Sequence, residues 1–221
     1  MIKINFKDIL KNYNVEVTLK TVNIKKYTAP AINNKEILRY AGIISKENAD
    51  LSNIHNLIDE CLYELKDKLS YKVCYTKLPI TFYDDYIDLT FTKTNSNNLK
   101  TNLANCNNII LFAATIGIEL DRLINKHSII SPSKALIMQA IGVERIESLC
   151  NQFNEEIRIT ESNNGNQLAP RFSPGYGDLP LDLQKDIFNT LNCQKNIGLT
   201  LNQSLLMSPS KSVTAIIGIK P

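Results

Sequence analysis

The chain has no tryptophan, two histidines, eight glycines and no Cys-x-x-Cys pair in its 221 residues. Each scarcity excludes something. A single glycine closes the apolar run Ile109 to Gly117, too few for the Gly-rich turn that cradles a phosphate, so this run reads as core strand. His55 and His127 stand alone, which argues against a histidine metal cluster or a histidine general base; both are expected at the surface. Cys61, Cys74, Cys106, Cys150 and Cys193 are odd in number and far apart, so they read as small buried hydrophobes in a reducing compartment. No run of about 18 apolar residues exists, and no membrane partner is expected. The start, Met1-Ile-Lys-Ile-Asn-Phe-Lys-Asp, lacks a signal-peptide plan, so a cytoplasmic location is expected. The net charge is only +3, with basic residues interleaved among acidic ones, so nucleic acid is not an expected partner.

What remains is a globular composition, 43% hydrophobic and 21% charged. Val15 to Ile24 alternates as a strand. Asn33-Asn34 precedes a short helix over Lys35–Ala41, with Asn as its cap. Ile54, Leu57, Ile58, Cys61, Leu62, Leu65 and Leu69 recur at helical spacing. Tyr71–Tyr75 and Tyr86–Phe91 read as strands, Ser96–Ala104 as a helix, and Ile109–Thr115 as a strand covered on both faces. Gly117–Lys126 returns to helix. Ser131-Pro132 opens a long helix, with serine at the cap and proline at the first helical position. Its apolar stripe runs through Leu136, Ala140, Val143, Ile146, Cys150, Phe153 and Ile157. Glu161–Gln167 reads as a loop, Leu181–Leu191 as a helix, and Leu199–Ile219 as two or three strands. This mixed order predicts an α+β fold, with residues 1–30 as an extension packed on a domain of residues 31–221.

Three constellations could carry chemistry. The first is Ala169-Pro-Arg-Phe-Ser-Pro-Gly-Tyr-Gly-Asp-Leu-Pro-Leu181, where prolines stiffen the chain and glycines permit close backbone approach to a ligand. It presents Arg171, one of five arginines against twenty lysines, whose fork suits bidentate carboxylate binding. A small ligand with a carboxylate at one end and a flat ring at the other suits such a loop. The second is Glu147, which projects from the apolar stripe of the long helix. Two readings stay open for it: a stripe-edge carboxylate that reaches water or an ion pair, and a partly buried carboxylate that faces a ligand. The third is the tetrad Ser-Pro-Ser-Lys, present at Ser131–Lys134 and Ser208–Lys211. It matches the Ser-x-x-Lys of serine acyl-transfer enzymes, but the companion motifs Ser-Asp-Asn and Lys-Thr-Gly are missing. A helix cap and an inter-strand turn explain the two copies.

Arg171-Phe-Ser-Pro-Gly-Tyr176 and the Gly-Asp-Leu-Pro-Leu that follows resemble the activation domain of cobalamin-dependent methionine synthase, especially its stand-alone form. Leu111–Leu120, Ser131–Leu136 and Ser208–Val213 add to the likeness, which covers most of residues 30–219. The family often has Gly-Tyr-Pro where this chain has Gly-Tyr-Gly. The resemblance implies a twisted, mainly antiparallel sheet with packed helices, and S-adenosylmethionine as ligand. It implies that Arg171 binds the methionine carboxylate, that the backbone near Ser173 and Gly175 meets the adenine, that Tyr176 shapes the site and that Glu147 faces the sulfonium. It implies a role in methionine biosynthesis: reductive methylation of oxidised cobalamin, with flavodoxin or ferredoxin as electron donor. Neither histidine has an Asp two residues before and a Gly three after, the pattern that carries cobalamin. The corrinoid is therefore expected on a partner, a methionine synthase lacking its own activation domain. Two other readings compete: a methyltransferase or hydrolase acting alone, against which the missing nucleophile counts, and a binding module for S-adenosylmethionine without catalysis. A further variant reactivates another corrinoid methyltransferase.

Overall fold

The computed structural model describes residues 21–43 and 51–221. The elements in chain order are β1 (Asn23–Lys26), α1 (Asn34–Tyr40), α2 (Ser52–Leu65), β2 (Lys72–Pro79), β3 (Thr81–Phe82), β4 (Ile87–Asp88), β5 (Lys93–Thr94) and α3 (Asn97–Asn102). Then follow β6 (Asn108–Thr115), α4 (Glu119–Ile130), α5 (Pro132–Ser162), β7 (Gln167–Leu168), α6 (Leu183–Leu191), α7 (Cys193–Ile197), β8 (Thr200–Leu201), β9 (Met207–Ser208) and β10 (Ser212–Lys220).

Strand β6 is the middle of a five-stranded antiparallel sheet ordered β1-β2-β6-β10-β7. Its alternation explains the continuous apolar run. Ile110, Phe112 and Ala114 pack with α1, α2, α4 and α5 on one face, while Ile109, Leu111 and Ala113 pack with α3, α6 and α7 on the other. Side chains alternate across a strand, so a strand covered on both faces must be apolar throughout. The predicted α+β class with a mainly antiparallel sheet is what the chain forms.

Helix α5 spans 31 residues and carries one wall of the candidate site described below. Pro132 sits in its first turn as expected, but Ser131 makes no side-chain cap bond. Its hydroxyl instead lies 3.4 Å from that of Ser133. Leu136 is 55% exposed, so it is not part of the buried stripe; Ala135, Ile137, Met138 and Ile141 take that place. Helix α5 also buries a charged pair, Glu144 beside Arg145. Arg145 donates to the carbonyls of Pro30 and Ala31, and Glu144 accepts from the Asn33 amide. This pair clamps the segment between β1 and α1 onto α5.

Other expectations shift for local reasons. Of the strand expected at Val15–Ile24, residues 15–20 lie outside the described residues, and pairing begins at Asn23. The strand expected at Tyr86–Phe91 shrinks to Ile87–Asp88. Thr90 turns to φ +69° and gives its amide to Asp88, and Leu89 bonds across to Thr92. Gly117, at φ +87°, delays α4 to Glu119, since its Cβ-free face lies against Ser70. The loop expected from Glu161 begins after Ser162, and α6 starts at Leu183 rather than Leu181. His127 is not a surface residue: it is buried, with Nε2 2.9 Å from Glu64. The helical spacing of Leu120, Ile124 and His127 places the ring on the inner face of α4. All five cysteines are buried and free. Among the described residues, no helix is long and apolar enough to cross a membrane.

Candidate functional site

The arginine loop is an extension of the sheet before it is a loop. Beyond β7, the Ala169 amide bonds to Gly218, and Phe172 exchanges both backbone bonds with Ile216, at 2.9 and 2.8 Å. This pairing sets which way the side chains go. Phe172 packs on the α3/α6 side of the sheet, so its neighbour Arg171 is turned to the α5 side. Asn102 adds a bond from its amide nitrogen to the Pro170 carbonyl.

The rest of the loop is tied down at both glycines. Gly175 adopts φ +88° and bonds through its amide to Leu179, while the Tyr176 amide bonds to Ser173. Gly177 adopts φ +54° where a Cβ would lie 2.0 Å from Asn98 Nδ2. Only glycine meets both demands. That close approach lets Asp178 cap α3: its carboxylate accepts from the Ser96 hydroxyl and from the amides of Asn97 and Asn98, the last two at 2.7 and 3.2 Å. These bonds, the Ser96 hydroxyl foremost, hold the Asp178 carboxyl below its ordinary range. The Gly-Asp pair thus serves to fix the loop's shape rather than to meet a ligand.

Opposite the loop, α5 presents Glu147 and Asn151, one turn apart on one face. Arg171 Nη2 lies 3.0 Å from Glu147 Oε2 and 3.1 Å from Asn151 Oδ1. The two ions are only partly withdrawn from solvent, with side-chain exposures of 25% for Arg171 and 39% for Glu147. They border a cleft of about 340 Å³ lined by Glu147, Arg171, Ser173, Tyr176, Val213 and Ala215. The floor is β10, one wall is α5, and the other is the arginine loop. Tyr176 stands at the rim, 72% exposed, its ring edge-on to Phe172 with centroids 6.4 Å apart.

The structure therefore brings Glu147, Arg171, Ser173 and Tyr176 to one cleft. Gly175 shapes the loop behind it. Asn151, Val213 and Ala215 were not singled out in the sequence. Asn151 could have been, since it lies four residues beyond Glu147. The nearby Cys150 is no nucleophile: burial pushes its thiol up to about 12. Among the described residues, no group of three or more His, Cys, Asp or Glu side chains could hold a metal ion.

A larger cavity, about 600 Å³, lies among α6, α7 and β8. Its lining carries one charged side chain, Lys185, and no opposed pair. Size alone favours it; the chemistry favours the smaller cleft. The smaller cleft still falls within the range of small-molecule sites.

No protein-family model matches the chain, and no curated protein matches it in sequence. Among solved structures, the chain is similar to a crystal structure of the MetH reactivation domain bound to AdoHcy. The TM-score is 0.64 at 17% identity, over 90% of this chain and 78% of that one. At that identity the likeness establishes the fold.

Proposed function

We propose that the chain binds S-adenosylmethionine in the Arg171–Glu147 cleft and presents its methyl group to a corrinoid on a partner protein. In this reading it is the reactivation subunit of a cobalamin-dependent methionine synthase. The carrying observation is the opposed pair itself: a guanidinium and a carboxylate 3.0 Å apart on the wall of a cleft. The likeness of the fold to a domain crystallised with AdoHcy supports the same ligand class.

The residues fit an amino-acid tail. Arg171 takes the carboxylate through its fork. Glu147, 3.0 Å from Arg171, is within reach of the α-ammonium beside that carboxylate, and its carboxylate also suits the sulfonium that the resemblance implies. A zwitterion inserted here replaces one ion pair with two. Ala215 and Val213 give the ring end an apolar floor, and Tyr176 is free at the rim to cover it. The chain's own contribution is then binding and orientation, which fixes the methyl donor and cuts the entropy of the encounter. The partner's corrinoid supplies the hard chemistry: one-electron reduction from a flavodoxin or ferredoxin, drawn forward by irreversible methyl transfer.

The test mixes this protein with cobalt(II)-inactivated methionine synthase, a low-potential reductant and S-adenosylmethionine, and follows the corrinoid absorption spectrum. Appearance of the methylated spectrum only when all components are present supports the proposal. Binding of S-adenosylmethionine without methylation by any corrinoid protein would leave a binding module instead.

A further inference from the structure

On the far side of α5 lies a second cavity, of about 390 Å³. Two residues turn a helix through about 200°, so Arg145 faces away from Glu147, and Ile141 shares the Arg145 face. The other walls are the segment from Tyr27 to Ile32, the end of α2 with the turn that follows it, and Tyr71 just before β2. Pro30, Leu62, Leu65, Leu69 and Ile141 make the interior apolar, and its lining shares no residue with that of the Arg171 cleft. The floor is polar in one place. Arg145 is 2% exposed, and four of its five N–H groups go to Glu144 and to the carbonyls of Pro30 and Ala31, the carbonyls at 2.6 and 2.7 Å. The fifth is left for the Tyr71 hydroxyl, which lies beside the guanidinium. Tyr71 itself is 7% exposed. Burial pushes its hydroxyl above the ordinary range, although Arg145 pulls the other way, so the phenol keeps its proton. No acceptor for that proton is found among the described residues.

We infer that this cavity is a binding site for a small uncharged molecule with an apolar body and a carbonyl oxygen, which accepts the hydrogen of the Tyr71 hydroxyl. The volume falls within the range of small-molecule sites. A buried hydroxyl without an acceptor is destabilising, and a carbonyl carried on an apolar body relieves this while the walls cover the rest. An N–H donated to the phenol oxygen polarises its O–H and makes it a stronger donor. Charge is excluded by the neighbours. Glu144 cancels the Arg145 guanidinium, and at the mouth Lys66 stands next to Asp67, both exposed. An ion entering here would lose its water without meeting an uncancelled opposite charge. Tyr27 adds only its ring, since its own hydroxyl donates to Glu156 at 2.6 Å. The site is separate from the ligand proposed for the Arg171 cleft and does not depend on it.

The experiment is ligand-observed NMR titration with three probes of similar shape. They are acetophenone, isopropylbenzene, which lacks the carbonyl, and benzoate, which replaces it by a charge. Wild type, Tyr71→Phe and Leu62→Trp are compared. The quantity read is the ratio of acetophenone to isopropylbenzene affinity. Compared between two proteins, it cancels the different solubilities of the probes, and it is insensitive to the fraction of folded protein. That ratio should be about fivefold higher in wild type than in Tyr71→Phe, the worth of one hydrogen bond. Benzoate should bind wild type more weakly than acetophenone. Leu62→Trp fills the cavity and should abolish saturable binding of both uncharged probes. Equal ratios in wild type and Tyr71→Phe would overturn the assignment of the hydroxyl. Tighter binding of benzoate than of acetophenone would overturn the ligand class. Unchanged binding to Leu62→Trp, or no binding of acetophenone to wild type, would overturn the site.

Discussion

Replacing Arg171 by alanine tests the site at its most demanding contact. In the free protein the guanidinium is shared between Glu147 and Asn151. In the proposed complex it would also meet the ligand carboxylate. Truncation removes that partner and leaves the Glu147 carboxylate close to another carboxylate. Losing one member of a hydrogen-bonded charge pair across a binding interface costs about 2–5 kcal/mol when the pair is buried. Glu147 retains 39% exposure, so water softens the penalty and the lower end applies. The expected loss is about 2 kcal/mol, roughly thirtyfold in Kd. Arg171→Lys keeps the charge without the fork and should fall between the two. The assay is calorimetry with S-adenosylhomocysteine at neutral pH, beside urea unfolding of each variant. Unfolding should change by no more than about 1 kcal/mol, because a half-exposed ion pair contributes little to stability. Equal affinities of wild type and Arg171→Ala would refute the assignment. So would an affinity loss that merely tracked a loss of folded protein.

Three further outcomes concern the scaffold. Arg145→Ala strands the Glu144 carboxylate, which is 2% exposed, so urea unfolding should show a loss of about 3–5 kcal/mol. Gly142→Ala should destabilise by about 1–3 kcal/mol although alanine is the better helix former, because its Cβ would lie 2.4 Å from Leu120 Cδ2; a gain in thermal midpoint would contradict the packing. Glu161 is nearly buried. Desolvation alone would raise its carboxyl, but bonds from Lys77 and Asn166 outweigh that and hold it below its ordinary value. Its folded pKa is thus below its unfolded one, so its contribution is present above the unfolded value and fades as pH falls through the folded one. Titrating stability from about pH 5 downward, wild type should lose ground relative to Glu161→Gln, and parallel curves would deny the linkage.

The parts of the fold legible in the sequence are those where one local rule suffices. The apolar run Ile109–Thr115 announced a doubly covered strand, and Pro132 marked the start of α5. What misled was local reading of positions decided by long-range packing. Leu136 fits the helical period but faces outward, and Glu144-Arg145 reads as surface charge because its partners, the carbonyls of Pro30 and Ala31, lie more than a hundred residues away. His127 was misread for the same reason, since Glu64 comes from another helix. At the site, Glu147 and Arg171 were both visible as residues, one by periodicity and one by its stiff loop. Their direct contact was not, because it depends on the bridge between Phe172 and Ile216 that turns Arg171 toward α5.

The mutual neutralisation of Arg171 and Glu147 also decides which molecules are ignored. A lone guanidinium in a groove would attract every nucleotide phosphate in its surroundings. Cancelled at 3.0 Å, the pair projects little field beyond the mouth. A polyphosphate therefore arrives unassisted, and on arrival confronts a carboxylate with no cation to offer it. Under the proposed function, adenosine phosphates are therefore expected to compete poorly with a ligand that brings both of its own charges.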